Sequence, residues 1–324
     1  MDAICAGILV ADIFVPPLVA LPKAGELLAT GDFLIDTGGC AANAATCLAK
    51  LGVGVGVSGK VGADVFGEFA ERDLSAKGVD VRGIRRSARS GTSKTVILPV
   101  RGEDRRYVHT FGANADFRVS DIDLAAFAGA RVLYVGGYLV MSAVLPDDLA
   151  ALLASARSLG MKTVLDVVVP ADDEGRSWPA LAPVLPEVDL FLPNDEESRS
   201  LTGECAPERQ AGRFLEAGCS AVVITQGRRG ALYRDSGKLV EAGGYSVDVV
   251  DCSGSGDAFA AGCIVGLLEG WEPCAMLRFA SAIGASACTR LGCTTGVPNR
   301  AEVDAFVRTH TLSVTERPAR READ

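Results

Sequence analysis

The sequence predicts an α/β protein with a mostly parallel central sheet, helices on both faces in three layers, and a small β element projecting as a lid. Two observations carry this. Short β-rich apolar runs alternate with helix-forming stretches along most of the 324 residues, the pattern that lays helices over a parallel sheet. Two segments, about 13–37 and 90–117, break the alternation and read as strands and turns with no helix following. A small sheet built from them would cover one side of the α/β body as a lid does.

Each element has a local reason. Residues 3–10 form an apolar β-rich run, 40–50 have helix composition and stop at Gly52, and 53–59 read as a strand. Residues 64–77 are amphipathic at helical spacing and end at Gly78, a common helix stop. Residues 131–135, 162–168, 188–192 and 221–225 are short strands, with helices over 145–159, 206–217 and 255–268 between or after them. Linker composition, repeats and low-complexity runs are missing, so residues 1–310 read as one domain. Residues 311–324 form a charged tail, ending ERPARREAD, that is expected to fray.

Bulk properties narrow the function. A net charge of −9 argues against nucleic acid or an anionic membrane as the main partner. The sequence has no apolar run long enough for a transmembrane helix, and MDAICAGILV lacks the basic start of a signal peptide, so a cytoplasmic protein is expected. The ten cysteines form no C-x-x-C pair, and Cys5, Cys47, Cys263 and Cys288 lie in apolar surroundings, as reduced buried thiols do. With only His109 and His310 present, a zinc site is not expected.

Two nucleotide-motif matches fail on context. Gly54, Gly56 and Gly59 fit G-x-G-x-x-G but lie inside a strand-like run, whereas a dinucleotide fingerprint sits between strand and helix. Gly54, Gly59 and Lys60 fit P-loop spacing, but Val61 stands where a magnesium-binding hydroxyl is needed.

The stretch DCSGSGDAFAAG, residues 251–262, is more informative. Gly254, Ser255, Gly256 and Asp257 open an apolar helix. Free N–H groups at a helix start, together with the helix dipole, attract anions, and glycine lets a phosphate approach the backbone closely. Asp257 on the first turn would sit beside that anion, able to accept a proton from an incoming hydroxyl, as phosphoryl transfer requires of a base. On the loop alone, an acid capping a buried helix remains an equal reading. Asn194 and Glu197 are three apart, hence neighbours on one helical turn, where a carboxylate suits hydrated magnesium. A helix cap with a solvated acid is the commoner explanation for that pair alone.

At these residues the chain resembles the ribokinase-like, or PfkB, family of carbohydrate kinases. Asp251-Cys252-Ser253-Gly254-Ser255-Gly256-Asp257 is similar to the C-terminal signature, with Ser255 for the usual alanine. GGCAANAATCLAKLG (38–52) resembles the N-terminal signature and GKVGADVFGEF (59–69) continues it. PNDEE (193–197), TQGRRG (225–230) and GCTTGVP (292–298) follow in the family's order. The resemblance runs to about residue 308 and implies a ribokinase-like fold and ATP-dependent transfer to a hydroxyl of a small sugar or sugar-like alcohol. It implies Asp257 as catalytic base, with Gly254, Ser255 and Gly256 as the anion hole. It further implies Asp12, Gly38, Gly39 and Asn43 on the acceptor, and Asn194, Thr225, Gly227 and Gly230 along ATP. Glu197 would hold magnesium through water, while Asp251 and Ser253 would help hold a monovalent cation, with potassium the candidate. The implied assembly is a homodimer through the lid. Cys40 stands where ribokinase-type sequences often carry lysine, which weakens a specific ribose assignment.

Three alternatives stay open. A nucleoside kinase would need an aromatic slot, with Tyr107, Phe111 and Phe117 as candidates. A sugar-phosphate kinase would use lid cations among Lys94, Arg101, Arg105 and Arg106. A non-enzymatic sugar-binding regulator is disfavoured by the intact Asp257 and glycines.

Overall fold

The computed structural model describes residues 1–102, 106–170, 173 and 175–319. Its elements begin with β1 (Ala3–Gly7), β2 (Val10–Phe14), β3 (Leu34–Gly38), α1 (Cys40–Lys50), β4 (Val55–Gly62), α2 (Val65–Ala76), β5 (Asp80–Ser87), β6 (Lys94–Leu98) and β7 (Arg106–Thr110). Then come β8 (Val132–Tyr138), α3 (Pro146–Ser158), β9 (Lys162–Val167), α4 (Trp178–Leu181), β10 (Leu190–Phe191), α5 (Asp195–Thr202), α6 (Pro207–Glu216) and β11 (Ala221–Thr225). The last third holds β12 (Ala231–Asp235), β13 (Lys238–Ala242), α7 (Ser255–Glu269), α8 (Pro273–Ala287), α9 (Arg300–Thr309) and β14 (Val314–Pro318).

The main sheet runs β14-β13-β12-β11-β10-β9-β8-β1-β4-β5. From β11 to β5 every pairing is parallel, and the remaining edge is antiparallel. Side chains of period two feed two cores, as a strand buried on both faces requires. Ala3 and Cys5, Val132 and Tyr134, and Val223 pack toward α1, α7 and α8. Ile4 and Ala6, Leu133 and Val135, and Val222 pack toward α3 and α6. The result is a helix–sheet–helix sandwich.

The second sheet, β3-β2-β6-β7, contains strands from both segments that broke the alternation. It begins earlier than expected. The run 3–10 does not continue as one strand: β1 ends at Gly7, whose φ of 143° and packing on the Gly136 carbonyl exclude a side chain. Val10 onward then joins the small sheet, so Asp12 lies within it. The 188–192 strand contracts to Leu190–Phe191. The tail is also corrected in part, because Val314–Pro318 pairs with β13 as an edge strand. Its outward charges suit an edge, and Arg317 donates to Glu208 at 2.8 Å. Residues 320–324 and Arg105 lie outside the described residues. In β4, a side chain at Gly56 would strike the Phe127 ring and one at Gly59 would strike Leu9, so these glycines serve packing.

Helix α7 is apolar nearly all round and lies buried between the sheet and α8. A Cβ on Gly262 would come within 2.5 Å of the Ala280 Cα. Alanine is the better helix former by about 1 kcal/mol, but overpacking against backbone costs about 1–3 kcal/mol. Gly262→Ala is therefore expected to lower stability, seen as a lower urea midpoint at unchanged slope. A raised midpoint would show that the two helices do not touch at this point.

Candidate active site

Parallel strands of an open α/β sheet present ligands at their carboxyl ends. Here a cleft of about 180 Å³ opens at that edge, lined by Cys40, Asp166, Glu197, Thr225 and the Gly254–Asp257 loop among others. A larger groove, about 770 Å³, lies between residues 118–122 and α3. Asp148 and Arg118 are its charged groups, whereas the smaller cleft gathers Asp166, Glu197 and Asp257.

The start of α7 leaves its first N–H groups without a side-chain cap. Gly254 is its cap, left-handed at φ 71°, and no side chain caps the helix. A Cβ on Gly254 would lie 2.4 Å from the Cys293 carbonyl, so only glycine fits. Gly256 has open space where a side chain would stand. Below the loop, the buried Asp251 accepts from Ser253 N (3.0 Å) and Oγ (2.8 Å) with one oxygen and from Gly292 N (3.0 Å) with the other. Asp251 and Ser253 thus fix the loop's shape.

Asp257 Oδ2 accepts from Asn43 Nδ2 at 2.8 Å and also receives the Cys40 thiol. Burial raises its pKa, and the Asn43 and Cys40 hydrogen bonds oppose that rise. Raised basicity suits a proton acceptor. Asp166 was not singled out in the sequence. It ends an apolar strand, β9, and takes a 2.8 Å bond from the Tyr134 hydroxyl. Its ligand oxygen, that of Asp257 and the Cys40 sulfur lie within 4.8 Å of one another. Burial, then the Asp257 and Glu197 charges, push the Asp166 carboxyl well up. A lone acid inside VLDVV at a strand's carboxyl end was the available signal.

Asn194 and Glu197 form a reciprocal capping box on α5: Asn194 Oδ1 accepts from the Glu196 and Glu197 amides, and Glu197 Oε2 accepts from Asn194 N at 2.9 Å. Both still line the cleft, and burial lifts the Glu197 carboxyl to about 7. Thr225 reaches the same wall. Gly227 opens the turn after β11 with free space over it and is not among the residues lining the cleft. Gly230 is fixed for another reason: its φ is 100°, and a Cβ would sit 2.0 Å from the Ala242 carbonyl.

On the other side, Asp12 of β2 is 6% exposed. A Cβ on Gly38 would collide with the Asp12 carboxylate, and one on Gly39 with the Ile8 carbonyl. Gly38 therefore admits the aspartate rather than only thinning the wall. Asn43 is buried, and its Oδ1 has no hydrogen-bond partner. Burial drives Asp12 up to about 7, against hydrogen bonds from Thr95 and Cys293, while the Asp36 and Asp257 charges add to the rise. Lys94, the first residue of β6, pairs with Ala11 of β2, its Nζ donating to the Thr92 carbonyl and standing 5.2 Å over Phe66. Phe117 is buried in the core and cannot supply a base-stacking slot, whereas Tyr107 and Phe111 are half exposed.

Comparison with known proteins agrees in extent. A family model described as pfkB family carbohydrate kinase matches residues 4–300. The 2-dehydro-3-deoxygluconokinase of Bacillus subtilis is 30% identical over 295 residues, covering 87% of this chain and 90% of its own. The ribokinase of Haemophilus influenzae is 27% identical over 296 residues, covering 88% and 92%. Among solved structures, an Escherichia coli chain described as a ribokinase II, in complex with ATP and Mg²⁺, superposes with a TM-score of 0.82 at 24% identity, covering 95% of this chain and 99% of its own. That likeness establishes the fold.

Burial of Asp12 has a pH signature. Above the ordinary carboxyl value of 3.8 the unfolded chain loses a proton that the folded chain keeps until about 7. Stability from this group is complete at low pH and is lost as pH rises through that window. Asp12→Asn removes the titration. Relative to wild type, the variant should gain on the order of 4 kcal/mol between about pH 4 and pH 8, read from urea unfolding. A pH-independent difference would place the Asp12 carboxyl in water.

Proposed function

Because the chain belongs to the pfkB family of carbohydrate kinases, we propose that it transfers the γ-phosphoryl group of ATP to a hydroxyl of a small, uncharged sugar or sugar-like alcohol. The observation that carries this is Asp257, raised in basicity, on the first turn of an uncapped helix and hydrogen-bonded to Asn43. The acceptor hydroxyl gives its proton to Asp257 while its oxygen bonds to phosphorus and the bond to ADP breaks. The Gly254, Ser255 and Gly256 amides stabilise the charge on the transferring group. Asp12 and the unpartnered Oδ1 of Asn43 accept hydrogen bonds from the acceptor's other hydroxyls. Asn194, Thr225 and the turn at Gly227 and Gly230 flank the nucleotide.

Asp166, Asp257 and Glu197 bring three carboxylates to a cleft whose described lining holds no lysine or arginine, a donor set that fits a hard divalent cation. Glu197 would hold magnesium through water, with Asp166 beside it. When bound, magnesium offsets the phosphate charges. The buried charge of Asp251 beneath the loop, with Ser253, is what a potassium ion would balance. The outer face of the small sheet carries Ile13, Ile35, Val96 and Val108 in paired register, with Ile35 and Val108 exposed. A second copy covering this row would form the dimer. We place the activity in the cytoplasm, where ATP is supplied.

An uncharged acceptor is favoured because the acceptor-side groups named above are acids, amides and hydroxyls. Among the lid cations, Arg101 and Arg106 are exposed and Lys94 is turned to Thr92.

Two outcomes follow. Asp257→Asn should lower kcat by about 10²–10⁴ while ATP still binds by calorimetry; turnover within about threefold of wild type would remove the base assignment. Asp12→Ala should raise acceptor KM by a factor equivalent to about 1.5–3 kcal/mol, with ATP KM nearly constant. In a panel of sugars, sugar phosphates and nucleosides phosphorylated with ATP and magnesium, neutral sugars should lead. Preference for a sugar phosphate would overturn the uncharged reading.

A further inference from the structure

Cys252 and Cys288 stand together beneath the phosphate loop and have no part in the transfer just described. Cys252 is exposed, lines the cleft and lies between Asp251 and Ser253. Cys288 ends α8 and is partly buried. The backbone holds them close: the Cys288 carbonyl accepts from Val250 N at 2.8 Å and from Asp251 N at 3.1 Å. The Cys288 thiol donates to the Gly284 carbonyl at 3.4 Å, and Cys252 and Ser255, the first residue of α7, are its side-chain neighbours.

We propose that Cys252 and Cys288 are a modification site: a dithiol that exchanges with a small-molecule disulfide such as oxidised glutathione to form an internal disulfide, reversibly disabling the phosphate loop. Cys252 is the exposed member and attacks first. Its thiolate bonds to one sulfur of the small disulfide, whose S–S bond breaks and releases one small thiol. The Cys288 sulfur then gives up its proton and attacks the Cys252 sulfur, releasing the second small thiol. Two protein thiols lose two electrons and two protons, and the small disulfide takes them up. Cys288, partly buried at the end of α8, is the resolving partner.

The link would act on the loop because a disulfide sets sulfur atoms about 2.05 Å apart with a dihedral near 90°. Two neighbouring thiols that are not bonded must close by more than about 1 Å to reach this. Gly254 is already pressed against the Cys293 carbonyl, and Val250 and Asp251 are tied to Cys288. The adjustment therefore falls on Ser253 and Ser255, which carry the loop bonds of Asp251 and the start of α7. A shift of about 1 Å in a catalytic group can cost about 10²-fold in rate.

The test treats the full chain with excess oxidised glutathione, then digests it under non-reducing conditions for mass spectrometry. A linked peptide pair containing Cys252 and Cys288 is expected. With it, kinase turnover should fall at least roughly tenfold and return with dithiothreitol. Cys288→Ser should keep its basal turnover, form no link and retain most of its activity under oxidant. The link itself is independent of the proposed kinase function, so mass spectrometry reports it even if no acceptor is phosphorylated. Only its effect on turnover rests on that function. Failure to find the linked pair would overturn the site. A linked pair with unchanged turnover would overturn the disabling role. Inactivation of Cys288→Ser as fast as wild type would move the effect to another thiol, such as Cys40, and also overturn it.

Discussion

The hydrogen bond from Asn43 Nδ2 to Asp257 joins residues 214 positions apart, and the site depends on it. Asn43 is fixed by α1, which starts at Gly39 and packs on the sheet. Asp257 is fixed by the first turn of α7, packed on α8. The bond is short and partly buried, so it holds the carboxylate in one orientation while leaving Oδ1 of Asn43 unused. A buried acceptor without a donor costs about 1–3 kcal/mol. On the proposed reading, a hydroxyl of the acceptor would relieve that cost.

Charge adds a second constraint. Asp12, Asp166, Glu197 and Asp257 all lie where burial favours their protonated forms, and each of the other three feels the charge of Asp257. Structural ion pairs would have supplied arginine or lysine here. Cations elsewhere in the chain are paired with other acids: Lys60 with Asp121, Lys77 with Asp36 and Asp73, and Arg300 with Glu269. Clustered acids with no lysine or arginine among the described lining of the cleft destabilise the fold slightly, as groups gathered for chemistry rather than for stability do.

Much of this could be read from the chain. Helix α1, strand β11 and the start of α7 coincide with their sequence limits, because glycine or a loop bounds a clear apolar pattern. The Gly254 turn has a local reason in its left-handed φ of 71°, to which the Cys293 carbonyl adds a distant one. What was not legible depends on distant contacts. The break after Gly7 is imposed by Gly136, which lies on another strand. Strand β14 forms because β13 offers an open edge. Asp166 becomes part of the site only when Tyr134, Cys40 and Asp257 surround it, and no spacing along the chain brings those together. Residues with one local reason to be what they are were readable, whereas residues with a tertiary reason were not.

The two sides of the cleft are linked through the same acids. Asp12 belongs to the small sheet and Asp257 to the body, yet the Asp257 charge contributes to the raised pKa of Asp12, and electrostatic coupling of this kind is mutual. A hydroxyl donating to Asp12 stabilises its ionised form. A second negative charge settling near Asp257 in turn strengthens Asp257 as a proton acceptor. On the proposed reading, acceptor binding on the sheet raises the basicity of Asp257, the residue assigned to take the acceptor's proton. Coupling of this kind favours proton abstraction most when a hydroxyl is in place.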